Sequence, residues 1–254
     1  MIEVCLSGAA GRMGRMLAGL VEAAADLRLA AALEQPGHPE LGTEVSAGVV
    51  LVDDARKALS GAGVLLDFST ADAAAATVRL AGELGVAVVC GVTGFSDAQQ
   101  DTLRQAAGRV AVVWGSNMSR GVHLLTRLAE KAAGQLDGYD AEVFEIHHRN
   151  KADAPSGTAL QLAGAIRDRR GRGTVARDRR GKRGDDEVGV CAARGGDVVG
   201  EHQVMFLGPG EQVILTHRAT SREHFCRGAL DAVRFAARSS AGLYTMADVF
   251  REEP

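Results

Sequence analysis

A glycine-rich turn near the start of the chain constrains the fold more than any other feature. Apolar residues 2–7 predict a strand, and the run Gly8-Ala9-Ala10-Gly11-Arg12-Met13-Gly14 leads from it into a helical pattern. Glycines here let the backbone approach a pyrophosphate, whose charge then faces the helix N-terminus. A second strand, residues 29–33, is followed by Glu34, an acid placed to accept from a ribose hydroxyl. The turn predicts dinucleotide binding, with an ordinary tight turn as the alternative.

The residues after Glu34 alternate between strand and helix patterns. Short Val/Leu-rich strands are predicted at 49–52, 64–68, 86–89 and 110–114, with helices at 71–84 and 97–107. Near-continuous apolar strands separated by helices indicate a parallel sheet that is covered on both faces. The loops 91–95 and 115–118 follow two of these strands, at the sheet edge where such folds bind ligands. Their glycines would also suit simple turns.

The pattern changes after residue 118. A helix (122–133), a strand (141–148) and a helix after Ser156 precede three closely spaced strands, 188–194, 202–207 and 212–219. Short links between strands favour antiparallel or mixed pairing, so this half predicts an open α+β sheet. A final helix, 223–238, could pack on either half. Residues 167–184 are rich in arginine and glycine and are interpreted as a mobile surface loop.

Composition excludes several classes of protein. The net charge of −3 over 254 residues gives no whole-chain argument for nucleic acid or membrane binding, and residues 167–184 lack the aromatics that stack on bases. The chain has no apolar run of about eighteen residues and no basic leader. Its four cysteines are far apart, as expected for buried thiols of a reducing compartment. We therefore expect a cytoplasmic location.

The segment 145–159, E-I-H-H-R-N-K-A-D-A-P-S-G-T-A, contains a dense group of ionisable side chains followed by a turn. His147, His148, Arg149 and Lys151 precede a turn that ends at the N-terminus of a helix, near residues 156–158. Ser156 is placed to cap this helix, so the backbone N–H groups of Gly157 and Thr158 form an anion site. Cationic side chains beside an anion site predict a pocket for a small carboxylate-bearing molecule. The ionisable groups suit proton transfer near neutral pH.

The histidine pair does not predict a metal site. Neighbours on a strand point to opposite faces, and the pattern places no cysteine or carboxylate set at ligand spacing nearby. One histidine could instead be a satisfied core or interface residue, although Lys151 and the anion-binding turn favour a functional role.

Six motifs resemble one known family. They are Gly8–Gly14, Asp67-Phe68-Ser69, Gly91–Phe95, Asn117-Met118-Ser119, Glu145–Ala159 and Gly196–His202. Together they resemble the 4-hydroxy-tetrahydrodipicolinate reductase (dihydrodipicolinate reductase) family of lysine synthesis. The resemblance implies an N-terminal Rossmann dinucleotide-binding domain (1–118 and 220–254, with a returning C-terminal helix). It also implies a C-terminal α+β domain with an open mixed sheet (119–219), which binds substrate and forms a homotetramer.

The resemblance also implies roles for individual residues. His147 and Lys151 would carry the proton chemistry, and the substrate carboxylates would contact His148, Arg149, Ser156, Gly157 and Thr158. NADH or NADPH would contact a larger set: Gly8, Ala9, Ala10, Gly11, Arg12, Met13, Glu34, Phe68, Gly91, Val92, Thr93, Gly115, Ser116, Asn117 and Met118. No metal is implied.

Three positions depart from the usual family pattern. Gln35 stands where many members have an arginine that would hold the 2′-phosphate of NADPH. Its absence favours NADH as the cofactor, and use of both cofactors remains open. Val92 replaces a more usual threonine and Asn150 a more usual histidine. Neither change removes a group with an assigned chemical role, so activity is expected.

Three other functions compete with this one. Another two-domain dehydrogenase would need a different substrate motif from the turn at 155–158. A non-catalytic cofactor sensor should lack Lys151 or a histidine of the pair. An RNA-binding protein would use the arginine-rich segment and show strongly salt-dependent binding to nucleic acid.

Overall fold

The computed structural model describes residues 1–251 and divides into two compact units. The first comprises Met1–Ser119 and the segment from Glu223 onward, and the second comprises Arg120–Arg222. Within residues 1–251, no helix combines the length and apolarity needed to cross a membrane.

The first unit contains an eight-stranded sheet in the order β13-β7-β6-β5-β1-β2-β4-β3. Its strands are β1 Ile2–Ser7, β2 Leu27–Leu33, β3 Glu44–Ser46, β4 Val49–Val52, β5 Val64–Asp67, β6 Ala87–Cys90, β7 Ala111–Trp114 and β13 Gly242–Tyr244. All neighbours pair in parallel except β3, which runs antiparallel to β4 at the edge. The predicted parallel sheet is confirmed.

Helices cover both faces of this sheet. They are α1 Arg12–Glu22, α2 Ala55–Leu59, α3 Ala71–Leu84, α4 Asp97–Ala107, α7 Glu223–Ala236 and α8 Met246–Val249. Successive β1 side chains point to opposite faces. Val4 belongs to a core with α1 and α7, whereas Cys5 belongs to a second core with α3 and α4. This double burial explains why the strands contain so few polar residues.

Helix α7, the long helix near the end of the chain, belongs to the first unit, where it packs against α1. Sequence patterns left its location open. They also missed β13, which follows α7 and extends the sheet beside β7. Three residues are too few to produce a recognisable strand pattern, so only the pairing with Ala111–Val113 defines β13.

The second unit contains a five-stranded sheet in the order β12-β11-β8-β10-β9. Its strands are β8 Asp140–His147, β9 Thr174–Arg177, β10 Glu187–Arg194, β11 Gly200–Gly208 and β12 Glu211–Ala219. The strands β8, β10 and β9 are parallel, whereas β11 runs antiparallel to both β8 and β12. Helices α5 Arg120–Gln135 and α6 Gly157–Arg170 share one core with the sheet. The predicted mixed α+β sheet is confirmed.

The prediction of a surface loop over residues 167–184 is wrong over much of its length. Helix α6 continues to Arg170, and Thr174–Arg177 forms β9, paired with β10. Ion pairs then fix several of the arginines: Arg172 with Asp137 and Asp186, Arg179 with Glu142 and Glu187, and Arg183 with Asp140 and Glu142. The many charged residues of this segment make the short edge strand β9 hard to predict, because the acidic partners of its arginines are distant in sequence.

Candidate active site

The glycine turn after β1 is shaped first by close backbone packing. Gly8 has a φ of 75°, and a Cβ there would lie 2.8 Å from the Phe68 carbonyl oxygen. A Cβ on Gly14 would press on the Gly8 carbonyl oxygen and lie 2.6 Å from that of Ala9. Glycine is therefore needed at both positions for the turn to close onto α1.

The start of α1 has the properties of an anion site. Among the described residues, its N-cap Gly11 has no side-chain capping hydrogen bond and its first turn contains no acid. The Thr70, Ser96 and Ser156 side chains, by contrast, cap α3, α4 and α6. Backbone N–H groups and the positive end of the helix dipole suit a pyrophosphate.

Glu34 lies directly beside this turn. One carboxylate oxygen accepts from the Ala10 backbone N–H at 3.3 Å, and the other accepts from that of Gln35 at 3.0 Å. An acid beside an anion-binding turn matches the contacts that a dinucleotide makes through its ribose and its pyrophosphate. The residues therefore fit an NAD(P) cofactor.

The remaining predicted cofactor contacts follow neighbouring parallel strands, so they lie at the same edge of the sheet. Phe68 follows β5, and a Cβ on Gly91, after β6, would overlap the Phe68 ring. Val92 and Met118 are buried, whereas Thr93 and Ser116 are exposed. The Asn117 side chain accepts from the Ser119 backbone N–H at 2.9 Å.

A second cluster surrounds Glu145 in the other unit. Glu145 and His147 lie two residues apart on β8 and therefore share a face. His147 Nδ1 is 2.5 Å from Glu145 Oε2, and Glu145 itself is fully buried. The other carboxylate oxygen, Oε1, accepts from the Ser156 backbone N–H and from Arg194 Nη2, both at 2.9 Å.

These contacts determine the protonation of Glu145. Burial alone would raise the pKa of this carboxyl group. The contacts with His147, the Ser156 N–H and Arg194 outweigh burial and lower the pKa to about 2. Glu145 is therefore a buried carboxylate at neutral pH.

His202, on β11, joins the same cluster. Its Nε2 lies 3.3 Å from Ser156 Oγ, and its ring meets that of His147 edge-on, with centroids 5.1 Å apart. Burial, followed by the charge of His147, lowers the pKa of His202 to about 4, so its imidazole is neutral near pH 7. Sequence patterns did not single out His202, although it ends the matched run Gly196–His202.

Three side chains of this cluster could together supply metal ligands. Glu145, His147 and His202 each place one ligand atom within 4.8 Å of the others. The argument that no carboxylate lies near the histidines at ligand spacing is therefore wrong. The Arg194 guanidinium on the same carboxylate opposes a divalent cation, because like charges repel in a buried site.

The residues that follow His147 form a turn on which Lys151 lies. The Lys151 backbone N–H donates to the His148 carbonyl oxygen at 3.1 Å, and its ammonium group lies 2.7 Å from Asp153 Oδ1. The hydrogen bond from Lys151 lowers the pKa of Asp153. Lys151 is thus part of an ion pair and is also close enough for its charge to lower the pKa of His202.

Helix α6 begins as its sequence predicts. Ser156 is its N-cap, and the buried Ser156 hydroxyl accepts from the Ala159 backbone N–H at 3.2 Å. Gly157 and Thr158 are the first two helical residues, and Gly157 is exposed. The N-terminus of α6 is therefore anchored through Ser156 to the Glu145 cluster.

The segment 195–200 runs beside the histidines. The Gly195 backbone N–H donates to the His147 carbonyl oxygen, and the exposed Arg149 donates from its backbone to the Gly196 carbonyl oxygen. A Cβ on Gly200 would lie 2.9 Å from His147 Nε2. Gly200 therefore leaves room for the imidazole, a requirement that sequence patterns did not reveal.

Family models match both halves of the chain. The model described as "Dihydrodipicolinate reductase, N-terminus" matches residues 2–118, and the model described as "Dihydrodipicolinate reductase, C-terminus" matches residues 121–250. The chain belongs to the dihydrodipicolinate reductase family. The resemblance noted from its motifs is thereby confirmed, and the chain is an NAD(P)H-dependent oxidoreductase.

Individual members of the family are similar over the full length. Proteins named 4-hydroxy-tetrahydrodipicolinate reductase from Anaeromyxobacter sp. (strain Fw109-5) and Nitrosomonas europaea are 47% and 42% identical, each over 98% of this chain and 97% of their own. The solved structure "Dipicolinate bound Dihydrodipicolinate reductase from Paenisporosarcina sp. TG-14" has a TM-score of 0.81 at 24% identity. That similarity covers 99% of this chain and 100% of the other, and it supports the fold.

Proposed function

We propose that this chain reduces 4-hydroxy-2,3,4,5-tetrahydrodipicolinate to tetrahydrodipicolinate in the diaminopimelate and lysine pathway. The observation that carries the proposal is near-full-length similarity to proteins named for this reaction. A related structure is titled as bound to dipicolinate, which supports a small dicarboxylate as the substrate here.

The first unit would hold the cofactor. The turn from Gly8 to Met13 and the start of α1 would bind the pyrophosphate, and Glu34 would accept from the adenosine ribose. Phe68, residues 91–93 and residues 115–118 would line the nicotinamide side. When bound, the reduced nicotinamide supplies a hydride from its C4 atom.

The second unit would hold the substrate. The backbone N–H groups of Gly157 and Thr158, at the start of the 14-residue helix α6, would bind one carboxylate together with Ser156. His148 and Arg149 would add positive charge for the other carboxylate. Two anchored carboxylates would fix the orientation of the ring, which lowers the entropic cost of reaching the transition state.

His147 and Lys151 would carry the proton chemistry. The 4-hydroxyl group of the substrate would leave as water, which gives a conjugated ring. Hydride addition to that ring leaves negative charge on it, which must be neutralised by a proton. The ammonium group of Lys151 would deliver that proton, and His147 would stabilise the developing charge. The Asp153 carboxylate lies 2.7 Å from the Lys151 ammonium group, so this ion pair fixes the position of the lysine side chain.

The assembly and location of the protein are part of this proposal. A homotetramer would form through the second unit, where Ile214 on β12 is 50% exposed. A cytoplasmic location is supported by four cysteines, none of which forms a disulfide.

The test follows the loss of absorbance of NADH and of NADPH, with the substrate formed in situ from pyruvate and aspartate semialdehyde. We expect turnover with at least one cofactor and a decrease in kcat of roughly 10²- to 10⁴-fold in Lys151→Ala and in His147→Ala. The exposed Lys131 on α5 provides a matched control, and Lys131→Ala should retain wild-type kcat.

Oxidation of neither cofactor by the wild-type protein would reject the proposed reaction. Wild-type turnover in both site variants would reject the proton chemistry.

A further inference from the structure

The carboxylate at the centre of the second cluster has no role in the mechanism above. Glu145 is fully buried, yet it contacts His147, the N-cap of α6 and Arg194. We propose that Glu145 is a positioning residue that fixes the tautomer and ring orientation of His147 and ties it to the substrate-binding turn of α6. This inference rests on the proposed function, because only that function gives His147 a role in the proton chemistry.

The contact with His147 determines which ring nitrogen carries the proton. Glu145 Oε2 and His147 Nδ1 form a close ion-pair contact of 2.5 Å, and both atoms are buried with no hydrogen-bond partner elsewhere among the described residues. A carboxylate accepts hydrogen bonds only, so Nδ1 must carry the hydrogen. The second nitrogen, Nε2, is then the atom that exchanges a proton with a ligand, and the ring protonated there is the form that stabilises negative charge on that ligand. The side chain of His147 is 12% exposed, which gives a ligand access to the ring.

The contact with Ser156 links this imidazole to the anion site. Glu145 Oε1 accepts from the backbone N–H of the residue that caps α6. One rigid carboxylate thus fixes both the proton-handling ring and the helix end proposed to bind a substrate carboxylate. Because acid–base catalysis requires hydrogen-bond geometry, small displacements at this point should affect kcat strongly.

The surroundings of Glu145 keep the carboxylate charged and in place. Arg194 approaches from β10 and also donates to the Asp153 carbonyl oxygen, which fixes the guanidinium from a second side. His202 approaches from β11, with Nε2 3.9 Å from Glu145 Oε2, and His217 on β12 lies behind His202. The charges of Lys151 and Asp153 complete the group. A buried charge with fewer partners would be strongly destabilising, so these contacts suit a carboxylate at this position.

The central test compares Glu145→Gln with Glu142→Gln. A glutamine at 145 keeps the shape, but its single oxygen cannot replace both carboxylate oxygens. Glu142 lies on the same strand and is paired with Arg179 and Arg183, away from the histidine cluster, so it is a matched control. We expect Glu145→Gln to lower kcat about 10- to 100-fold, as loss of the outer partner of a metal-bound imidazole does. The KM for the reduced cofactor should be unchanged, and Glu142→Gln should retain wild-type kcat.

A second readout does not depend on turnover. Nitrogen-15 NMR of labelled histidine distinguishes Nδ1–H from Nε2–H, and His147→Ala identifies the signal. We expect Nδ1–H at His147 in the wild-type protein and a mixture of tautomers in Glu145→Gln. An unchanged Nδ1–H tautomer, or wild-type kcat in the folded variant, would overturn the inference. If the wild-type protein oxidised neither NADH nor NADPH, the proposed function would fail. The tautomer measurement would still test the contact between Glu145 and His147.

Two further experiments, a Glu145→Asp variant and treatment with a chelator, test the inference if Glu145→Gln does not fold or if a metal is required. If Glu145→Gln does not fold, Glu145→Asp retains the charge opposite Arg194 but withdraws the carboxylate from His147 by one methylene, about 1.5 Å. We expect a folded Asp variant with reduced kcat, and wild-type kcat in it would overturn the inference. Activity of the wild-type protein should also survive a strong chelator. Activity that required a divalent metal would assign Glu145, His147 and His202 to that metal and overturn the inference.

Discussion

The carboxyl group of Glu145 should make the stability of this protein depend on pH in the acid range. Burial raises its pKa, but His147, the Ser156 N–H and Arg194 together lower the pKa from 4.5 to about 2 in the folded chain. The unfolded chain therefore binds a proton at higher pH than the folded chain does. The stabilisation is complete above about pH 4.5 and is lost as the pH falls toward 2.

The size of the effect follows from the two pKa values. The full difference between the two pKa values corresponds to about 3 kcal/mol of the free energy of unfolding. Most of that loss occurs at very low pH. Between about pH 5.5 and pH 3.5, the linkage relation gives a loss of about 1 kcal/mol.

The measurement is urea unfolding of the wild-type protein and Glu145→Gln across that pH interval. Other carboxyl groups titrate in both proteins, so their contributions cancel in the difference between the two free energies of unfolding. We expect this difference to shrink by about 1 kcal/mol as the pH falls from about 5.5 to 3.5. Parallel stability curves would refute the assignment of Glu145 as a carboxylate held by three strong contacts.

Two further predictions concern the cofactor turn and the core of the second unit. Gly14→Ala places a methyl group against backbone carbonyls of Gly8 and Ala9, so the turn must shift. We expect affinity for the reduced cofactor, measured by fluorescence titration, to fall about tenfold or more, whereas Gly19→Ala, with open space around it on the same helix, should bind normally. Phe206→Ala removes a fully buried ring and should lower the free energy of unfolding by about 3–5 kcal/mol in urea.

Each of these has a clear contrary outcome. Equal cofactor affinity in Gly14→Ala and Gly19→Ala would show that the turn tolerates displacement. A loss below about 1 kcal/mol in Phe206→Ala would show that the core of the second unit closes around the missing ring.

Much of the first unit was predictable because its signals are local. The glycine turn and the Val/Leu runs each fall within a few residues, and β1, β4, α3 and α4 have the bounds that the sequence predicts. Strand β9 was not predictable, since Thr174–Arg177 resembles the polar residues around it. Only its pairing with β10 and the ion pairs of Arg172 and Arg179 define that segment.

The candidate site shows the same division. The run from Glu145 to Ala159 predicts a cationic pocket, because its histidines, its lysine and its helix cap are contiguous. The environment of Glu145 depends on Arg194 and His202, which lie on other strands. No local pattern reveals that these side chains contact Glu145. Their contacts are what make Glu145 a buried, fixed carboxylate.

The two edges of the second sheet differ in a way that affects contacts between molecules. Strand β9 is short, ends in the exposed Arg177 and is flanked by ion-paired arginines. A foreign strand that added there would find few backbone groups and would have to desolvate charged side chains. At the opposite edge, β12 offers nine residues, Glu211–Ala219. Any pairing of strands between copies of this sheet is therefore directed to β12, and the β9 edge resists accidental aggregation.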